Sequence, residues 1–410
     1  MQHRIIVLGA GYAGVTAAGR IAKRLHREDI ALTLVNAEPD FVERVRMHQL
    51  AVGQDLRPRP ISELFAGTGV ELKLAKVTAV DADRKTVTVT AAVDANGTGE
   101  AAGAGRTEEL PYDTLVYALG SGWNSQGVPG TAEHAHDIAG RPGALRLRER
   151  LARLDAGQPV VVVGGGLTGL EAVTEIAEAR PDLDVALVVR GGLGDWLSPK
   201  GRGHLRKVVD GLGITVYEQT AVTAVAADHV TTADGTSLPA AVTVWTTGFA
   251  AHSLARATTL ELTDAGQIVV DRTMRSVSHP DVYAVGDSAM ALGPGEKPLR
   301  MSCATGGPMA WQAADAIAAR LTGGKIPTIS PRYFNQCISL GRRDGLIQYV
   351  TADDRAVSTA LTGRLAATYK ELVCKGAAWG LTKPTLGLPT RRRHILPQQP
   401  QPTPTIQVPA

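Results

Sequence analysis

"VVVVGGGLTGLEA", residues 160–172, is an apolar run that breaks into glycines and then into helix-forming residues. A buried strand ahead of a phosphate-binding turn reads this way, because glycines let backbone N–H groups approach an anion at the positive end of the next helix. The chain opens on a second stretch of the same kind. In "IIVLGAGYAGVTAA", residues 5–18, the glycines again fall as G-x-G-x-x-G. Both stretches have the strand, turn and helix context that a dinucleotide-binding turn requires.

Outward from the first turn, residues 14–25 keep an apolar face at helical spacing and "IALTLVNAE" reads as a second strand, which completes one βαβ unit. Residues 69–90 alternate as an antiparallel insert, and "ANGTGEAAGAG", 95–105, reads as a flexible tip. "YDTLVYALGS", 112–121, is a buried strand ending on small residues. From residue 159 the pattern restarts: "DVALVVRGG" follows the second turn, a helix is expected over 200–212, strands over 214–225, and "VTVWTTGF" at 242–249 closes the unit. The halves duplicate a pattern rather than a literal sequence. Residues 270–290 supply a strand ending at Gly286 and Asp287, 303–322 a helix, and 330–382 a smaller third region. Beyond Pro384 the chain is rich in Pro and Gln, and little fixed structure is expected.

Composition narrows the function. The chain has 410 residues, 44% hydrophobic and 20% charged, which suits two or three globular domains. A net charge of +3 and only 4% aromatic residues argue against a nucleic-acid partner. The one basic run, "TRRRH", reads as a solvated tail. No stretch reaches the ~18 apolar residues of a membrane span. The N-terminal apolar run carries the first turn's glycines, so it reads as part of the fold rather than as a signal peptide. Cys303, Cys337 and Cys374 are odd in number and far apart in sequence, as in a reducing compartment, and a cytoplasmic protein is expected.

Five motifs, "GAGYAG", "YDTLVYALGS", "GGGLTGLEA", "VTVWTTGF" and "VYAVGDSA", follow one another in the order found in two-dinucleotide flavoprotein reductases, which the chain resembles over about residues 3–325. Within that family it looks most like the type II NADH dehydrogenase branch, including apoptosis-inducing-factor-like reductases. The resemblance implies an α/β fold of two Rossmann-like domains, one inserted in the other, plus a small C-terminal region. The expected boundaries are 1–122 with 250–325 for FAD, 123–249 for NAD(P)H, 326–383 for an interface or acceptor region, and 384–410 for a Pro-rich tail. It implies hydride transfer from NADPH or NADH to FAD and onward to a quinone-like or other small organic acceptor. No paired cysteines lie near either turn, so no redox-active disulfide is expected. Two alternatives stay open: a flavin enzyme of specialised metabolism, and a redox-responsive NAD(P)H-binding flavoprotein. The expected partner is a small-molecule acceptor, with at most weak peripheral membrane contact and a homodimer possible.

Cofactor contacts are expected at Gly9, Ala10, Gly11, Tyr12, Ala13 and Gly14, then at Asn36, Ala37, Arg46, Val77, Ala118 and Gly120. In the second half they are expected at Gly164, Gly166, Leu167, Thr168, Gly169, Arg190 and Gly248, and near the end at Gly286, Asp287, Cys303 and Ala304. Asn36 stands where an acid usually takes the ribose hydroxyls, and Cys303–Ala304 where the branch carries Ala-Gln beside the flavin. Glu171 is the catalytic candidate. It is either a carboxylate favoured by the first turn of its helix or a group at the nicotinamide and flavin edge. Arg46 and His48 either reach the FAD pyrophosphate or the acceptor cleft, or are structural. About twenty residues past Gly169, where NADH enzymes carry an acid, stand Val189 and Arg190. Arg190, with Lys200 and Arg202 nearby, points to NADPH over NADH unless it is only a solvated strand-end cation. Membrane-attached members end in amphipathic helices, and no such helix is expected here.

Overall fold

The computed structural model describes residues 1–91, 105–327 and 331–397, so the expected tip at 95–105 lies outside it except for Gly105. The fold is the expected α/β arrangement. β1 (His3–Leu8), α1 (Tyr12–Arg24) and β2 (Ile30–Asn36) form the first unit, the strands paired in parallel with Ile5 opposite Leu32. After the short helices α2 (Met47–Ala51) and α3 (Ile61–Phe65), β3 (Val70–Asp81) runs parallel to β2. It then turns back through β4 (Thr86–Ala91) and β5 (Thr107–Pro111) as an antiparallel meander. β6 (Thr114–Tyr117) returns to the other side of β1, and β7 (Ser121–Trp123) leads out of the sheet.

α4 (Thr131–His134), β8 (Ala135–His136) and α5 (Arg141–Ala152) precede the second unit. This comprises β9 (Pro159–Val163), α6 (Leu167–Ala179), β10 (Asp184–Val188), α7 (Pro199–Gly211) and β11 (Thr215–Tyr217). A small antiparallel sheet of β12 (Val222–Val225), β13 (His229–Thr232) and β14 (Ser237–Pro239) follows. β15 (Val242–Trp245) then completes a parallel sheet ordered β11-β10-β9-β15-β8. β16 (Phe249–Ala251) pairs antiparallel with β7, Phe249 opposite Trp123, so the chain enters and leaves this part side by side.

β17 (Ile268–Val269), β18 (Val282–Ala284) and β19 (Ala289–Met290) come next. β18 pairs with β6, giving the first sheet the order β18-β6-β1-β2-β3-β4-β5 among the described residues. β1 and β9 are apolar almost throughout because parallel strands are covered on both faces. α8 (Cys303–Thr322) lies against α1; both meet through small buried residues, Ala13, Ala17 and Ala18 on one side and Ala310, Ala313 and Ala314 on the other. Last come the antiparallel β20 (Asn335–Ser339), β21 (Gly345–Val350) and β22 (Ala356–Thr362), and α9 (Arg364–Thr382).

Two sequence expectations fail here. α9 is amphipathic: it buries Ala366, Cys374, Ala378 and Leu381 and leaves Leu365 and Leu372 72% and 63% exposed. The prolines counted against such a helix begin only at Pro384, beyond its end. The segment after Pro384 is also fixed as far as residue 397. It cannot form a helix, but it runs extended between the ends of α1 and α8. The Arg393 N–H donates to Arg24 O (2.9 Å), His26 N–H to Arg393 O (2.9 Å) and Leu396 N–H to Leu321 O (2.8 Å). "TRRRH" is thus part of the packed structure rather than a free tail; Arg392 Nε also donates to Ala22 O (3.1 Å). No helix among the described residues is long and apolar enough to cross a membrane.

Deleting residues 391–410 should therefore lower the melting temperature by roughly 5 °C, since hydrogen bonds of about 1 kcal/mol each are lost. An unchanged melting curve would show that the strap adds no stability.

Candidate functional site

The two glycine turns are built alike. Gly9 (φ +91°) and Gly164 (φ +126°) take backbone conformations that side chains disfavour, and a Cβ on them would lie 2.5 Å from Ala118 O and 2.6 Å from Thr246 Oγ1. At the third glycine, Gly14 or Gly169, a Cβ would collide with the carbonyl oxygen of Gly9 or Gly164, which lets each helix rest on its strand. The middle glycine differs from both. A Cβ built on Gly11 or Gly166 meets nothing within 4 Å among the described residues, and both face a common cavity of about 1010 Å³. These two residues are also the N-caps of α1 and α6, and neither helix is capped by a side chain. Unsatisfied N–H groups, a positive helix end and open space at the closest backbone point fit a pyrophosphate at each turn.

Most of the expected contact residues line this cavity. Gly11, Tyr12, Ala13, Ala118 and Gly120 do so on one side, and Gly286, Asp287, Cys303 and Ala304 beside them. Gly164, Gly166, Leu167, Thr168, Glu171, Arg190 and Gly248 line the rest. Gly9, Ala10, Gly14 and Gly169 shape the turns from behind. Asn36 acts likewise: its Oδ1 accepts the Ala10 N–H (2.8 Å) and its Nδ2 donates to Glu38 O (2.7 Å), which ties the end of β2 to the turn. Ala37 does not reach the cavity lining, and the Val77 side chain is buried in the core beneath the first sheet.

Arg46 is placed differently from the expected pyrophosphate contact. Its guanidinium grips Glu371 of α9 through two hydrogen bonds of 2.9 Å and also binds Glu43 (3.0 Å). Arg44, two residues earlier, lines the cavity instead. It donates to Ala139 O (2.8 Å) and lies 3.6 Å from Asp287, whose carboxylate accepts a 2.6 Å hydrogen bond from Ser121. Both arginines sit in one short helical turn, and only tertiary packing decides which faces inward.

Glu171 lies in the second turn of α6 rather than the first, so helix-end charge is not what steadies it. Its carboxylate accepts from Lys370 Nζ of α9 (2.8 Å) and from the Ser339 N–H of β20 (3.1 Å), and His48 Nδ1 is 3.9 Å away. Burial alone would raise its pKa, but the Lys370 ammonium, with His48 and the Ser339 N–H, holds it below the usual carboxylate range. Burial likewise opposes the charge on Lys370, and Glu171 overcomes it and raises the lysine's pKa. His48, fully enclosed, is pushed down by burial to about 4 despite Glu171, so it is neutral at physiological pH. Lys370 also donates to Cys337 O (3.0 Å). Nothing in the sequence marks Lys370, because its burial arises only when α9 packs against α6 and β20.

The three cysteines, distant in sequence, all line the cavity on this side, with Val373 and Ala377 of α9. All three are free thiols, Cys303 open to the cavity and Cys337 and Cys374 more enclosed; the loss of surrounding water inside the cavity raises the pKa of each, that of Cys337 to about 12.

A chain that brings two such turns to one cavity, with an ion pair beside it, is an α/β oxidoreductase of the two-nucleotide class. Residues 3–318 match the pyridine nucleotide-disulphide oxidoreductase family, and the chain belongs to it. An NADH dehydrogenase-like protein of Mycobacterium tuberculosis is 31% identical over 332 residues, 75% of this chain and 78% of that one. A type II NADH:quinone oxidoreductase of the same organism is 27% identical, covering 71% and 68%. Among solved structures, NDH2 from Plasmodium falciparum in complex with NADH superposes with a TM-score of 0.75 at 14% identity, over 95% of this chain and 99% of that one. The sulfide:quinone oxidoreductase from Aquifex aeolicus does so at 0.74 and 18%, over 97% and 98%. These two likenesses concern the fold.

Gly11→Val and Gly166→Val test the two turns separately. Both positions have ordinary extended backbone (φ −75° and −77°) and open space, so the variants should fold. The first should abolish dinucleotide binding at the N-terminal turn and the second at the other, read by bound chromophore and by nucleotide titration. Undiminished binding in either variant would show that the backbone is not approached there.

Glu175, one turn beyond Glu171 and 2% exposed, gives a pH prediction. Gln54 donates to one oxygen (2.5 Å) and the other has no hydrogen-bond partner among the described residues. Burial raises its pKa from 4.5 to about 7, so between these values the folded chain holds a proton that the unfolded chain releases, and stability falls as pH rises. Glu175→Gln should be more stable than the parent at pH 8 by ~2–3 kcal/mol and gain little at pH 4.5, measured by denaturant unfolding. Equal gains at both pH values would exclude a buried titrating carboxyl.

Proposed function

We propose that this chain is an FAD-dependent NAD(P)H dehydrogenase that delivers reducing equivalents to a quinone-like acceptor without a redox-active disulfide. The observation that carries this reading is the pair of open glycines, Gly11 and Gly166, facing one cavity that also holds the Glu171–Lys370 pair. Bound FAD supplies a carrier that takes hydride from a nicotinamide and passes the electrons on.

The N-terminal turn and the free N–H groups of α1 hold the FAD pyrophosphate, and Asp287, fixed by Ser121 and Arg44, faces the same side. The second turn and α6 hold the nicotinamide nucleotide. On the remaining wall, Lys370 offers an ammonium where negative charge develops on a reduced acceptor oxygen. Glu171 keeps that ammonium protonated and in place, and together they hold a proton beside the acceptor. Neutral His48 adds a polar group without adding charge. α9 forms this wall and exposes Leu365, Leu372 and Trp379 on a face turned away from the cavity, an apolar surface that suits peripheral contact with a lipid surface. The quinone reading draws on the relatives named for that acceptor. The cysteine reading draws on three protonated thiols, since a thiol–disulfide step begins with thiolate.

An anaerobic titration of the purified yellow protein, followed by a panel of quinones, tests the proposal. NADH or NADPH should bleach the flavin and a quinone restore it. Lys370→Met should slow reoxidation at least tenfold more than it slows reduction. Replacing Cys303, Cys337 and Cys374 together by Ser should leave reoxidation intact. A colourless protein that takes up no FAD would end the reading, and loss of quinone reoxidation in the triple variant would refute its cysteine part.

A further inference from the structure

The relatives are named for NADH, yet the end of β10 carries a cation. Arg190 stands two residues past the strand, beside the second glycine turn. Gly164 N–H donates to Val188 O (2.9 Å), and a Cβ on Gly165 would press on Val189, so strand end and turn are in direct contact. The Arg190 side chain is exposed, lines the cavity, and has no hydrogen-bond or ion-pair partner among the described residues. We infer that Arg190 forms a 2′-phosphate subsite and that the chain takes NADPH in preference to NADH; this rests on the reading of the second turn as a nicotinamide-nucleotide site.

The surrounding acids support the inference. NADH-specific turns place a carboxylate at this point to accept the ribose hydroxyls, and that carboxylate repels a 2′-phosphate. Among the described residues the carboxylates lining the cavity are Glu171 and Asp287, held by Lys370 and by Ser121 with Arg44 respectively. Glu218, across the β10–β11 edge, is engaged by Arg206 (2.7 Å) and by the Leu193 N–H (2.5 Å). Asp195 is the nearest acid in sequence, and its carboxylate folds back onto the Gly192 N–H (2.5 Å). A guanidinium unpartnered by any of them is free to take a phosphate in a charge-assisted, two-pronged contact. Lys200 and Arg202 do not line the cavity, so the discrimination falls on Arg190.

The test is calorimetric binding of 2′,5′-ADP against 5′-AMP to the FAD-loaded protein, with NADPH and NADH titrations of flavin reduction alongside. The parent should bind 2′,5′-ADP at least tenfold more tightly than 5′-AMP. Arg190→Ala should narrow that ratio by roughly tenfold to a hundredfold, and Arg190→Glu should invert it. The advantage should also shrink as salt rises. Equal binding of the two nucleotides by the parent, or an unchanged ratio in Arg190→Ala, would overturn the subsite while leaving the nucleotide site in place. Failure of both nucleotides to bind would overturn the subsite and the proposed function together.

Discussion

At Gly14 the first helix rests on the carbonyl of Gly9, and at Gly169 the second rests on that of Gly164, closer than any side chain permits. The direction of α1 and α6, and therefore where their unsatisfied N–H groups point, follows from these contacts. α1 is then gripped on its other face by α8, whose buried alanines allow helix-to-helix approach without large side chains. The start of α8 at Cys303 and the Gly286–Asp287 turn are thereby carried to the mouth of the first glycine turn; a Cβ on Gly286 would press on Ala13. Much of the site is a consequence of how closely backbone can approach backbone.

The third region packs through apolar residues, Ile338, Leu340 and Leu346 against the second unit and Tyr333, Val350 and Leu381 against the first, and is pinned by charge. Lys370 and Glu371 are neighbours on α9 and point to different units: Lys370 to Glu171 of α6, Glu371 to Arg46 after β2. Breaking a buried pair by removing one partner typically costs about 3–5 kcal/mol, because the other charge is left without compensation. Two ion pairs of opposite polarity on adjacent residues fix the position of α9 along its axis and its rotation about it. The same arrangement puts an ammonium inside a largely apolar cavity wall, where its field is strong.

The strand–glycine–helix units, the insert over 69–90, the helix at 303–322 and the strand before Asp287 were legible because local chemistry determines them: apolar runs, glycines at fixed spacing, helical periodicity. Arg46 was misread and Arg44 missed because periodicity over so short a turn does not say which arginine faces inward. Lys370 was invisible because a lysine in an amphipathic helix reads as solvated until the partner surface is known. The three cysteines are scattered in sequence and line one cavity, a relation that only the packing of α8, β20 and α9 creates. The strap after Pro384 was misjudged because proline density excludes helix and leaves extended pairing with another segment possible. The placement of Arg190, just past β10 and on the cavity wall, was legible from its distance beyond Gly169.

The ribbon of β7 and β16 has a further consequence. The chain enters and leaves the second unit through these two hydrogen-bonded strands, Trp123 opposite Phe249 and Ser121 opposite Ala251. Two independent linkers would permit twisting and separation, whereas a paired ribbon resists both and yields chiefly by bending across its plane. Its strands end beside Gly120 and Gly248, both on the cavity wall. The spacing between the two glycine turns is thus tied to a hydrogen-bonded ribbon rather than to two free linkers.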